Sequence, residues 1–298
     1  MKKWLGRMAA VTGHAGRSSA LWTFGVVWVA GVLAHVFTGQ GLPLFALLMT
    51  VAFGVWCATT IALTEPDPVE APSPSERRRV WLQLALILGF VALTARGGLV
   101  FHGVVAANPV PIWSPLIDAL DRLGEAWTGN GNFVSNPVTY LVLPLVALLL
   151  TRSHPQDLGF GHGHRVGRVV LLWCAVPVGV FILTLAAGQV TLLRLLERFA
   201  SHFLQNGLME EFLFRGALYT RLRMLTGVGW ALVIQALIFG VWHLGLGYAN
   251  TGHSGLLPAL ATVIVNQSVA GLAFGVIFER TRNLIAPTAV HVALNSLG

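Results

Sequence analysis

The stretch Glu210-Glu211-Phe212-Leu213-Phe214-Arg215 sets two adjacent acids and an arginine inside an otherwise apolar run of the chain. Ionisable side chains in such surroundings are costly, so they mark chemistry, transport or a structural ion pair. On a helix, Glu211 and Arg215 are four residues apart and share a face, whereas Glu210 points about 100° away. The arginine can therefore neutralise Glu211 and leave Glu210 to face something else.

The rest of the chain explains why these charges stand out. Of 298 residues, 55% are hydrophobic and only 10% charged, against roughly 25% charged in a soluble domain. The composition is that of a chain built for lipid. Its 33 glycines, 14 prolines and ten tryptophans suit membrane helices and their interfaces better than a soluble core. A formal charge of +7 raises nucleic acid as a partner. The basic residues, however, lie between apolar segments rather than together on one patch, so anionic lipid headgroups are expected and nucleic acid is not.

Apolar runs long enough to cross the hydrocarbon layer fall at about 21–37, 43–63, 80–104, 169–189, 228–246 and 257–278. Shorter runs lie at about 137–150, 207–219 and 284–297. The expected fold is all-α, a polytopic transmembrane bundle of eight or nine membrane-embedded helices, with 64–76 a solvated connector. With the N-terminus inside, as a cytoplasmic lead-in to a retained first helix, the inner regions collect Lys2, Lys3, Arg7, Arg17, Arg77 to Arg79, Arg152, Arg165, Arg168, Arg221, Arg223, Arg280 and Arg282. That is 14 of the 19 basic residues, the asymmetry expected of a multi-pass protein with a cytoplasmic N-terminus. Two amphipathic segments, Leu116 to Leu123 and 191–199, read as surface helices at the interface.

Two further apolar segments carry polar groups: Phe239-Gly240-Val241-Trp242-His243 and His291-Val292-Ala293-Leu294-Asn295. His291 and Asn295, four apart, share a helical face and can each donate a hydrogen bond toward one point. A bundle that brings His243 opposite Glu210 would let the two activate a water molecule for hydrolysis. His291 and Asn295 would then suit the oxyanion formed when that water attacks a carbonyl. Glu210, His243 and His291 are equally the one carboxylate and two imidazoles of many catalytic zinc sites. The close HExxH spacing that marks such sites is missing, and both chemistries stay open, so Zn2+ is carried as a possible cofactor.

His162 and His164, in GFGHGHR, read as part of a solvated basic loop. His102 and His253 are candidates for substrate or lipid contacts, and His35 is read as interfacial. Cys57 and Cys174 each lie in apolar runs and read as small buried hydrophobes. Phe239 and Trp242 read as packing residues, with Phe239 a possible pocket wall.

The three motifs in this order resemble those of the CPBP intramembrane proteases, also called the Abi or CAAX protease family, which includes the CAAX prenyl endopeptidases. The first, EExxxR, is matched by Glu210, Glu211 and Arg215, followed by Gly216 and Tyr219. The second, FxxxH, is matched by Phe239 and His243, and the third, HxxxN, by His291 and Asn295. The resemblance covers 165–298, taken as a catalytic core, and leaves 1–164 as lineage-specific N-terminal helices with long loops. It implies an endopeptidase in a bacterial plasma membrane acting on a membrane-associated protein or peptide. Glu210 and His243 would activate water, His291 and Asn295 would stabilise the oxyanion, and Glu211 and Arg215 would support them. The family is described both as metalloproteases and as metal-independent glutamate-type proteases. Competing readings from the residues alone are a proton-coupled transporter using Glu210 and the histidines, and a non-catalytic immunity or scaffold protein in which the Glu-Arg pair only holds the bundle.

Overall fold

A computed structural model describes residues 17–64 and 73–297. The basic residues Lys2, Lys3 and Arg7 and most of the connector at 64–76 lie outside the described residues. Among the described residues the regular structure is helical, with no strand. Six helices are long and apolar enough to cross a membrane: Ser19–Gln40, Leu44–Leu63, Pro74–Phe101, Asn132–Leu150, Val166–Ala186 and Leu256–Thr281. A seventh span results if Val228–Trp242 and Leu244–Asn250, which meet at 51°, are taken together. The chain is thus an integral, multi-pass membrane protein, with six or seven such spans among the described residues. The two other segments expected to be membrane-embedded are of a different kind. Around 207–219 the helix is wound largely as a π-helix, Phe212–Tyr219, and Ile285–Asn295 has only 11 residues. Apolar side chains such as Trp22, Val26, Leu171 and Leu183 are exposed on the spans, the arrangement expected where the solvent is lipid.

Contacts divide the chain into two units, 1–106 with 218–280, and 107–217 with 281–298. In the first unit, Leu256–Thr281 is central: 67% of its most apolar window is buried, against 17–22% for Ser19–Gln40, Leu44–Leu63 and Pro74–Phe101. Small residues allow close approach to it, as is common between membrane helices. A Cβ added at Gly31 would stand 2.9 Å from Ile264 Cγ2, and the Trp28 indole donates to the Val265 carbonyl at 3.3 Å. Gln235 crosses between helices, its side-chain amide donating to the Gly271 carbonyl at 2.8 Å.

The first unit also buries a charged network. Arg223 grips Glu279 with two contacts, Nε to Oε2 at 2.7 Å and Nη2 to Oε1 at 2.9 Å. The Tyr219 hydroxyl donates to Glu279 Oε2 at 2.8 Å. Beside it, Arg221 donates to Gln83 Oε1 at 3.2 Å and to Thr220 Oγ1. Paired and hydrogen-bonded in this way, the buried charges are tolerated.

The second unit packs Ile285–Asn295 against Val166–Ala186. Phe181, Leu195 and Ala293 form a buried cluster, with Cys174, Leu185 and Phe199 packed around it. Leu195 and Phe199 lie on Leu192–His202, the amphipathic helix expected near 191–199. The other expected surface helix is seen as Trp113–Thr128. The loop GFGHGHR is tied at its backbone: His164 N–H donates to the Thr281 carbonyl at 2.7 Å, Leu284 N–H to the Gly159 carbonyl at 3.0 Å, and the Asn283 amide to the Gly161 carbonyl. Gly163 has φ +69° and sits hard against Asn283 and Thr281, a place only glycine fills without strain. The side chains of His162 and His164 are exposed, as a solvated loop requires.

The buried network makes a measurable demand. Glu279→Ala leaves Arg223 buried without its carboxylate and is expected to destabilise the protein by about 3–5 kcal/mol, while Tyr219→Phe costs only about 1 kcal/mol. Thermal unfolding in detergent, followed by tryptophan fluorescence, checks the order of the two. A loss for Glu279→Ala no larger than that for Tyr219→Phe would mean that the pair is not the buried contact described.

Candidate active site

One continuous helical stretch positions the acids. From Leu192 to Thr226 the chain is wound as α-helix with two π-helical segments, Phe203–Gly207 and Phe212–Tyr219. Glu210 and Glu211 occupy the short α-helical piece Leu208–Glu211 between them. Such π segments are uncommon and concentrate at functional positions.

Facing these acids in the same unit is Ile285–Asn295, which carries His291. Gly207 makes the approach possible, since a Cβ added there would stand 2.5 Å from Val292 Cγ2. Across this contact His291 Nδ1 lies 2.8 Å from Glu211 Oε1. The same oxygen accepts Arg215 Nη1 at 3.0 Å. Glu211 and Arg215 are fully buried, and Glu210 and His291 are nearly so. The expected ion pair between Glu211 and Arg215 is therefore present, and it has a third member.

Glu210 does not simply turn away from that pair. Its Oε2 lies 3.9 Å from His291 Nε2, so the imidazole stands between the two carboxylates. A histidine ring offers nitrogens on two edges, and two acids that diverge along one helix can still meet the same ring on a second. A carboxylate oxygen only accepts, so the contact with Glu211 fixes the hydrogen on Nδ1 and directs Nε2 toward Glu210.

Asn295 lies one turn beyond His291 on the same helix and is half-buried. His243 belongs to the first unit, where it marks the 51° bend between Val228–Trp242 and Leu244–Asn250. Its Nδ1 donates to the Phe239 carbonyl at 2.8 Å, and its ring meets those of Phe239 and Trp242 edge-on at 4.6 and 4.8 Å. Trp242 is itself tethered to Thr94 Oγ1 at 2.9 Å. Both aromatic residues thus do pack, and they do so by orienting His243.

Two neighbours of the cluster are not signalled by any motif. His202 stands near His291 and Arg198; burial first, then these two groups, holds its imidazole below the usual histidine value. Tyr140, in the Asn132–Leu150 span, lies within electrostatic reach of Glu210 and Asp121. A lone tyrosine in an apolar run carries no spacing to mark it in the sequence. Among the described residues no group of three or more His, Cys, Asp and Glu side chains could hold a metal ion. In the cluster around His291, Nδ1 is engaged by Glu211 and Glu211 Oε1 by Arg215.

This arrangement lies within a recognisable stretch of chain. Residues 192–297 match the family model of the type II CAAX prenyl endopeptidase, Rce1-like. The segment is similar to that family. It starts at the first residue of the helix that carries Glu210 and ends just beyond Asn295, so it contains all three motifs. The match agrees with the CPBP resemblance of the motifs and supports an intramembrane endopeptidase of the CAAX type, with a membrane-associated peptide as its substrate. No curated protein and no solved structure matches the chain.

The tight contact at Gly207 in the Rce1-like segment gives a direct test. Gly207→Val forces the 285–295 helix outward and is expected to cost about 1–3 kcal/mol by overpacking, with loss of the bond between His291 and Glu211. Adding Val292→Ala makes room and should recover most of that stability. Failure of the second substitution to help would show that Val292 is not what the added side chain meets.

Proposed function

We propose that the protein is an intramembrane endopeptidase in which Glu210 and His243 activate water and His291 and Asn295 stabilise the oxyanion. The observation that carries this reading is the placement of the His291 imidazole between Glu210 and Glu211, with Arg215 behind. His243 receives its role from the FxxxH motif, and Asn295 from its position on the helical face of His291. The catalytic core is taken as 165–298 and the N-terminal helices as an addition outside it. A cytoplasmic N-terminus in a bacterial plasma membrane, with anionic lipids around it, completes the reading.

In the reaction, Glu210 takes a proton from water as the water oxygen attacks the scissile carbonyl carbon. The carbonyl π bond opens onto oxygen, and His291 and Asn295 donate to the resulting oxyanion. When the intermediate collapses, the carbon–nitrogen bond breaks and the proton held by Glu210 passes to the leaving amine. Because Nδ1 is committed to Glu211, His291 can donate from Nε2 only as the doubly protonated ring. Glu211, held by Arg215, sets the orientation of the oxyanion donor. No step runs through a metal ion, and activity is expected to survive exhaustive chelation.

The substrate class is a membrane-anchored peptide of the CAAX type. A farnesylated, internally quenched peptide ending in a CAAX sequence, offered to purified protein in detergent, is expected to be cleaved. Glu210→Gln and His243→Ala should each lower the rate by about 10²-fold or more, with unfolding temperatures close to that of the parent. Cleavage at the parent rate by Glu210→Gln would remove Glu210 from the chemistry and overturn the reading.

A further inference from the structure

The acids owe their direction to the turn that precedes them. At Phe203–Gly207 the backbone is π-helical, and Leu208 N–H reaches back five residues to the Phe203 carbonyl. Such a turn inserts one extra residue into the helix. In an unbroken α-helix Phe199 and Glu211 would lie about 120° apart, whereas one inserted residue brings them within about 20° of each other. Phe199 packs on the cluster that includes Ala293, and Glu211 bonds His291, both from the 285–295 helix. The π turn is therefore what lets one helix present its apolar face and its acids to the same neighbour.

A π turn shifts the ordinary backbone bonding, and here it is held from outside the helix. Asn136 Nδ2 donates to the Gln205 carbonyl at 2.9 Å. Asn130 Nδ2 donates to Gln205 Oε1 at 3.3 Å, and Gln205 Nε2 donates to Ser201 Oγ at 2.7 Å. Gln205 is thus gripped at its backbone and at both ends of its side-chain amide, in the middle of the π turn. Asn130 and Asn136 lie in the part of the second unit outside the Rce1-like match, which begins at residue 192.

We propose that Asn136, assisted by Asn130, is a positioning residue: it holds the π turn at Gln205 and so sets the register that presents Glu210 and Glu211 to His291. The proposal assigns work to the stretch that precedes the Rce1-like segment. It rests on the endopeptidase reading only for its kinetic consequence. The geometric consequence, the bond between His291 and Glu211, can be read separately.

The test compares Asn136→Ala, Asn136→Asp and Asn136→Gln in the full-length protein, in detergent. The first two lack the amide donor, and the third keeps it on a longer arm. With the farnesylated CAAX peptide as probe, Asn136→Ala and Asn136→Asp are expected to lower kcat on the order of tenfold, with KM within about twofold. Asn136→Gln is expected to recover a substantial part of that loss. In protein labelled with 15N-histidine, the Nδ1 resonance missing from His291→Gln identifies His291, and it should move in Asn136→Ala and Asn136→Asp but return toward the parent position in Asn136→Gln. Parent-like kcat and an unmoved His291 resonance in the first two variants would overturn the proposal, as would a Gln variant no better than Asp. If the parent cleaves no CAAX peptide, the endopeptidase reading fails, and the His291 resonance alone decides the positioning role.

Discussion

A single carboxylate oxygen, Oε1 of Glu211, receives both the Arg215 guanidinium and the His291 imidazole, and the second unit is organised around that meeting. Both donors are buried, and a buried charge without partners is among the most destabilising features a protein can carry. The helix bearing the acids and the helix bearing His291 are therefore joined by electrostatics as well as by packing. Gly207 lets them come close enough for the bond to form. The same bond then determines which nitrogen of His291 faces Glu210, so that structural pairing and chemical orientation are one arrangement.

The Rce1-like segment supplies the acids, the arginine and both motif histidines, but it does not supply the hold on the π turn. That comes from Asn130 and Asn136, earlier in the chain. A catalytic register can be maintained from a region that carries no motif of its own. Tyr140, on the span that begins at Asn132, likewise reaches the neighbourhood of Glu210 from outside the matched segment.

Much of this was legible in the sequence where spacing carries direction. The four-residue spacing of Glu211 and Arg215 led directly to an ion pair, and alternation of leucine with charge led to the amphipathic Leu192–His202 helix. The six apolar runs of full length all correspond to helices in the structure, five of them single-helix spans and the sixth the bent pair. What escaped was whatever depends on winding. Projection onto a regular α-helix misses the π turn at Phe203–Gly207 and sends Glu210 away from Glu211, although a two-edged imidazole meets both acids. Apolar composition in 207–219 and 284–297 likewise measures burial as well as lipid contact: Phe212, Leu213, Val290 and Ala286 are buried in protein.

Arg221 and Arg223 are counted with the basic residues that orient the chain, yet Arg223 is bound to Glu279 and Arg221 to Gln83 and Thr220, all of them buried. A guanidinium enclosed in this way offers little field to a phospholipid surface. Under the proposed lipid partnership, charge for headgroups would come instead from exposed residues such as Arg77 and Arg165. Counting arginines along the chain thus overstates the electrostatic grip of the membrane: part of the apparent topogenic charge is internal mortar, neutralised before any lipid can feel it.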